Sequence, residues 1–178
     1  LAITDDNTIS WYALKVYYNR VSDIDKEINE AGLKTFVPMT TVVVERDGHR
    51  SAVKRPLISS LMFVRASADD IIQTERRLAG RASVYTMAEP PRRPAPISDE
   101  EMTPLMLLTS GEDSNLEYLG DDTARYSVGQ KVKVIDGQFA GAVGHICRIK
   151  GNRRLVVAIK GVCAVATSYI PSCFLEKI

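Results

Sequence analysis

Residues 129–174 constrain this chain more than any other stretch. Within Gly129-Gln130-Lys131-Val132-Lys133-Val134-Ile135-Asp136-Gly137-Gln138-Phe139-Ala140-Gly141-Ala142-Val143-Gly144-His145-Ile146, Val132 and Val134 alternate with Lys131 and Lys133. That is the period of a strand with one buried face, and Phe139 is placed to join the same core. Gly137, Gly141 and Gly144 allow tight turns and bulges that a side chain would obstruct. Further strands are expected over 131–135, 142–149, 154–159 and 164–169, with Gly151-Asn152 as a turn and 174–178 as the closing strand. Strands so evenly spaced, joined by short turns, suit a small closed sheet.

Composition sets the outer limits. The 178 residues allow one or two modest domains, and the 45% apolar content is enough for real cores. Lysine and arginine number 23 against 22 acids, for a formal charge of +1, so the chain as a whole is not a generic polyanion binder. The charge is unevenly placed. Between Lys131 and Phe174 the only acid is Asp136, against Lys131, Lys133, Arg148, Lys150, Arg153, Arg154 and Lys160, whereas 112–122 is acidic. Cys147, Cys163 and Cys173 form no CxxC pair, and neither His49 nor His145 lies at ligand spacing to a cysteine. No metal site is expected, and three thiols suit a reducing cytoplasm better than a disulfide framework. No apolar run reaches the roughly 18 residues of a membrane span, and no signal-type apolar region opens the chain, although with a first residue other than Met that second absence is weaker evidence than usual.

Upstream, residues 1–9 are polar and expected to fray. Trp11-Tyr12-Ala13-Leu14-Lys15-Val16-Tyr17-Tyr18 reads as a first strand. Val21, Ile24, Ile28 and Ala31 follow at helical spacing, ended by Gly32. A strand near 34–39 leads to Val42-Val43-Val44-Glu45, and Asp47-Gly48 before Ser51-Ala52-Val53-Lys54 signals a hairpin. Leu61-Met62-Phe63-Val64 has the composition of a central strand. Ser67 with Asp70 caps a helix through Ile71, Ile72, Glu75 and Leu78 that Gly80 can stop, and 82–87 reads as another strand. After Pro90, Pro91, Pro94 and Pro96, Ser98 with Glu101 starts a third helix through Met102, Leu105 and Leu108. The order β-α-β-β-β-α-β-α implies an α+β sandwich with helices on one face of a mainly antiparallel sheet. The segment 111–126 reads as a linker or partly ordered connection, separating residues 10–110 from 127–178.

The segment containing Gly129, Val132, Val134, Gly137, Phe139, Gly141 and Gly144 resembles a KOW motif, the signature of a small SH3-like barrel. Together with the Trp-Tyr strand, the helix, Phe36-Val37-Pro38, the basic hairpin, the apolar strand, Arg93-Pro94-Ala95-Pro96-Ile97-Ser98 and the acidic linker, it resembles the NusG family of transcription elongation factors over residues 10–178. Gly161-Val162-Cys163-Ala164-Val165-Ala166-Thr167-Ser168-Tyr169-Ile170 carries a finer likeness to UpxY-type, RfaH-like paralogues, which are associated with antitermination in capsular or exopolysaccharide operons. The resemblance implies an NGN-type N-terminal domain whose hydrophobic depression seats on the clamp helices of the largest RNA polymerase subunit. The aromatic pair of that depression falls on Leu61 and Phe63, supported by Trp11 and Tyr12, and the helix start facing the gate loop falls on Gln73 and Thr74. It implies no cofactor. Ser59-Ser60 stands where housekeeping members carry Pro-Gly, pointing to a specialised paralogue. Lys160-Gly161-Val162 stands where they carry the Phe-Gly-Arg that touches Rho and ribosomal protein S10, which places Rho binding in question and leaves ribosomal protein S10 a candidate partner.

Each feature has a structural alternative. From the residues alone Leu61 and Phe63 read as core residues of a central strand, since buried apolar strands are commoner than docking patches, although alternation aims both to the side opposite Met62 and Val64, and the family resemblance favours docking. Tyr17, Arg20, Arg76, Arg77 and Arg81 are candidates for non-template DNA or leader RNA, or else solvated helix ends. The hairpin's Lys54 and Arg55 either approach DNA or keep an edge from aggregating. The barrel's cations either meet nucleic acid or ribosome or form a solvated outer face. His49 and His145 have no carboxylate or nucleophile at a recognisable spacing, and Asp99-Glu100-Glu101 is accounted for by the helix macrodipole. No phosphate loop or nucleophile motif appears, so the chain is expected not to be an enzyme. Its rivals are a housekeeping elongation factor coupled to Rho and a KOW-type ribosome or RNA-binding protein.

Overall fold

The structure is a computed structural model that describes residues 8–111 and 115–178. The expected frayed stretch therefore lies, over 1–7, outside the described residues, as do 112–114 of the expected linker. In chain order the elements are β1 (Ser10–Val16), α1 (Val21–Glu30), β2 (Lys34–Phe36), β3 (Met39–Arg46), β4 (His49–Pro56), β5 (Leu61–Ala66), α2 (Ala68–Leu78), β6 (Ala82–Val84), α3 (Asp99–Thr109), β7 (Glu117–Tyr118), β8 (Gln130–Val134), β9 (Val143–Ile149), β10 (Asn152–Ile159), β11 (Cys163–Ala166) and β12 (Leu175–Lys177). Short 3-10 turns occupy Ala124–Tyr126 and Ser172–Phe174. The chain divides into two compact units, Leu1–Val37 with Ile58–Asp99, and Pro38–Leu57 with Glu100–Ile178.

In the first unit an antiparallel sheet runs β2-β5-β1-β6, so the apolar β5 is interior. Tyr12 sits opposite Val64, and Leu14 opposite Met62. These residues point into a core completed by Val21, Ile24 and Ile28 of α1 and Ile71 and Leu78 of α2, so both helices cover the same face. Each large side chain buried here contributes about 1.5–3 kcal/mol, which is why apolar residues at three- and four-residue spacing fix the helices' orientation. The Ser67 hydroxyl accepts from the Asp70 amide at 3.1 Å and donates to the Asp70 carboxylate at 2.8 Å, supplying the expected start of α2. Its end differs from expectation: Ala79, at φ 47°, takes the left-handed cap ahead of Gly80. Strand β6 is shorter than the expected 82–87, because Tyr85 donates to the Ala13 carbonyl and then accepts from Ala95, turning the chain onto its proline-rich return.

In the second unit β3 and β4 form a hairpin through Asp47 and Gly48, both at positive φ, as a two-residue turn of matching twist requires. The other sheet is antiparallel in the order β12-β8-β9-β10-β11-β7. On β8 Val132 and Val134 are buried while Lys131 and Lys133 are exposed, the alternation written in the sequence. The β9–β10 turn falls on Lys150-Gly151, one residue earlier than expected; both have positive φ, and Ile149 pairs with Asn152. The segment 115–126, read as connection, carries β7, whose Tyr118 and Glu117 pair with Val165 and Ala166 of β11. Strand β12 pairs with β8 as the expected last strand, leaving β12 and β7 at the two ends of the hydrogen-bonded order. A Cβ on Gly129 would stand 2.2 Å from the Ile146 carbonyl oxygen, and one on Gly144 would stand 2.5 Å from that of Val156. Glycine is required at both because backbone passes against backbone. No helix among the described residues is long and apolar enough to cross a membrane.

Candidate functional site

Leu61 and Phe63 lie on the face of β5 opposite the helix layer, with Ala13 of β1 facing Phe63 and Lys15 facing Leu61. Trp11 joins that face two residues before Ala13 on β1. None of the three forms an exposed depression in this structure: Trp11 is 3% exposed, Leu61 2% and Phe63 0%. The Phe63 ring lies 6.3 Å from that of Phe36, tilted by 35°. Trp11 is held from several sides. Its backbone exchanges hydrogen bonds with Ile97, its indole N–H donates to Asp99 Oδ1 at 2.9 Å, and Lys34 Nζ sits 5.9 Å from the ring centroid. Asp99 Oδ2 also takes Arg65 Nη2 at 3.2 Å, making this carboxylate a junction between β1, β5 and the start of α3.

The structure separates other candidates. Tyr12 packs in the helix-side core, on the opposite face from Leu61 and Phe63, because strand neighbours alternate; burial raises its phenol pKa. Gln73 is exposed and Thr74 buried, and both sit in the middle of α2 rather than at its start. Gln73 alone can therefore touch a partner from that pair without rearrangement.

Among the nucleic-acid candidates, Arg20, Arg76 and Arg77 are exposed. Arg81 is committed elsewhere: its two terminal nitrogens bind Glu27 at 2.8 and 3.0 Å and its Nε donates to the Leu78 carbonyl. The Tyr17 hydroxyl shares a 2.8 Å hydrogen bond with Ser83, while its neighbour Tyr18 is 84% exposed. Tyr18 and Asn19 both adopt left-handed backbone, φ 59° and 54°, which turns the Tyr18 ring outward; adjacent strand-forming residues give no signal of that turn.

The KOW-like residues serve the second sheet. Val132, Val134 and Phe139 are buried, Gly137 lies against the Phe174 ring at positive φ, and Gly141, also at positive φ, faces Leu107 of α3. His145 is half-buried, and desolvation, with Lys131 nearby, lowers its pKa. Among the described residues no His, Cys, Asp or Glu group is placed to hold a metal ion.

A family model described as transcription termination factor nusG matches residues 9–106, more than half of the chain and every candidate polymerase contact. The chain belongs to the NusG family. NusG-family proteins act in transcription elongation and termination and interact with RNA polymerase. The chain is also similar in structure to NusG of Thermotoga maritima, in a structure described as showing domain interaction, with 20% identity, a TM-score of 0.51, and coverage of 96% of this chain and 98% of that one. At that identity the likeness concerns the fold, and it extends the NusG comparison over the C-terminal sheet that the family model does not reach. A search of curated protein sequences returns no match.

Proposed function

We propose that this NusG-family chain is a specialised elongation factor of the UpxY type, which binds RNA polymerase and promotes processive transcription through early terminators, in a polysaccharide biosynthesis operon. Residues 10–110 form the polymerase-binding domain and 127–178 an SH3-like KOW barrel, whose sheet takes in β7 from the connecting segment 111–126. The protein acts in the cytoplasm by binding energy alone and catalyses no reaction. A ligand shifts an equilibrium only by its differential affinity for the two states, so tighter binding to processive than to paused polymerase is all the activity requires. The supporting observation is that Leu61, Phe63 and Trp11 share one sheet face inside the family-matched segment. Docking on the clamp helices through this face requires that the three side chains be uncovered. The exposed Gln73 and Arg76 of α2 lie outside the covered core, available to the gate loop and to nucleic acid.

The description of the matching family as a termination factor favours a second reading as a Rho-coupled housekeeping protein. Against it, Val162 is buried and Lys160-Gly161 is exposed, so the loop that would carry an aromatic anchor presents none. Ribosomal protein S10 remains the candidate partner of the C-terminal domain. The test is binding of the full chain to core RNA polymerase of its own host, beside a Leu61→Ala, Phe63→Leu variant shown to be folded by circular dichroism. Loss of about 30-fold in affinity for the folded variant supports docking through this face. A folded wild-type chain that binds no polymerase overturns the reading, and stimulation of Rho-dependent termination in place of read-through establishes the rival.

A further inference from the structure

On the C-terminal sheet Arg148 of β9 and Arg153 of β10 are direct cross-strand partners, and both are exposed. Like charges directly opposite on adjacent strands destabilise a sheet unless something compensates them. Their neighbours are compensated internally: Lys150 Nζ binds Glu117 Oε1 at 2.7 Å, and Arg154 binds the other oxygen of the same carboxylate while its Nε donates to the Thr167 carbonyl. Arg148 and Arg153 have no carboxylate partner among the described residues. Both line a groove of about 510 Å³ together with Tyr169, a tyrosine 74% exposed to solvent. Arg148 also borders a second groove of about 330 Å³ with Arg125, Tyr126 and Val128, where the Arg125 guanidinium lies 5.2 Å from the Tyr126 ring centroid.

We infer that this surface binds single-stranded nucleic acid, with phosphates neutralised by Arg148 and Arg153 and a base stacked on Tyr169. The two guanidiniums supply the charge that tracks a phosphate backbone, and the tyrosine supplies the open aromatic face on which an unpaired base stacks. A duplex keeps its bases stacked internally, so it gains nothing from Tyr169. An acidic protein segment would satisfy the arginines but leave that ring face without its partner. The surface belongs wholly to the second compact unit and is independent of docking through Leu61 and Phe63.

The full chain, with labelled RNA and DNA single strands of about 12 nucleotides, decides the matter by fluorescence anisotropy across a salt series. A duplex and an acidic peptide serve as competing ligands, and each variant is first checked by circular dichroism. Arg148→Gln with Arg153→Gln weakens single-strand binding at least about tenfold and reduces the slope of log affinity against log salt by about 1.4, near 0.7 per phosphate. Tyr169→Ala weakens binding about five- to 150-fold, whereas Tyr169→Phe retains it. Removing the same charge from exposed β8, by Lys131→Gln with Lys133→Gln, changes affinity by less than about threefold. A preference for RNA or for DNA identifies the natural source, and either supports the site. The inference is overturned if the wild type binds no single strand, if the β8 variant loses as much as the arginine variant, if Tyr169→Ala has no effect, or if only the acidic peptide binds.

Discussion

Arg81 grips both carboxylate oxygens of Glu27, at 2.8 and 3.0 Å, tying the turn after α2 back to α1. The Arg81 hydrogen bonds hold the Glu27 pKa below its ordinary value, outweighing the opposing effect of desolvation. A carboxylate whose folded-state pKa is depressed adds stability above the ordinary value and loses it as pH falls through the folded one. Wild type is therefore expected to exceed Glu27→Gln in stability by about 0.5–1 kcal/mol at pH 7, discounted for solvent screening. The difference fades as pH falls below 4.5, the reference glutamate value. Urea unfolding of both proteins across pH 3–7 measures it, and a difference that stays constant over this range refutes the linkage.

Asp99→Ala removes the acceptor of the Trp11 indole and the ion-pair partner of Arg65. The buried N–H left without a partner costs about 1–3 kcal/mol. Because Trp11 is the sole tryptophan, its emission spectrum should shift in the folded variant, and the unfolding midpoint should fall with it. An unchanged spectrum and midpoint would show that the contact contributes nothing.

At Gly129 the backbone φ is not positive, so the cost of adding a methyl there is steric. Gly129→Ala forces a Cβ against the Ile146 carbonyl across the β8–β9 pairing, and an expected loss of about 1–3 kcal/mol follows from the overpacking. Amide hydrogen exchange should speed up in β8 and β9 before it does in β3 and β4.

The three thiols should react with an aromatic disulfide reagent in the order Cys173, Cys147, Cys163. Cys173 is exposed and Cys147 half-buried, with burial raising the Cys147 pKa. Burial pushes Cys163 up to about 12, so its reactive thiolate is scarce at pH 8 and its sulfur is out of reach. Rapid modification of Cys163 in the native protein would contradict the burial of β11.

Most of the element order was legible because three kinds of local rule agree, although four strands, β2 to β5, stand between α1 and α2 where three were expected. Val21, Ile24 and Ile28 fall at helical spacing, Val132 and Val134 alternate with lysines, and Asp47-Gly48 meets the positive-φ demand of a hairpin. The candidate site was legible only in part. Alternation told that Leu61 and Phe63 share a face, but placing Tyr12 with them ignored that it neighbours Trp11 on the same strand and so points the other way. Burial of that face, the commitment of Arg81 to Glu27 and the role of Glu117 all join residues distant in sequence, and no local pattern encodes them. Strand β7 is only Glu117–Tyr118, too short to show a period.

Strands β3 and β4 follow β2 and precede β5 in the chain, yet β2 and β5 pair directly in a sheet that omits them. Leu57 donates to the Pro38 carbonyl at 2.8 Å, fastening the base of this excursion. Such an arm can change length during evolution in steps of one residue per strand, each step moving its tip by about 3.4 Å, while every hydrogen bond among β2, β5, β1 and β6 stays in place. The hairpin's length is thus uncoupled from the register that holds β2, β5, β1 and β6 together.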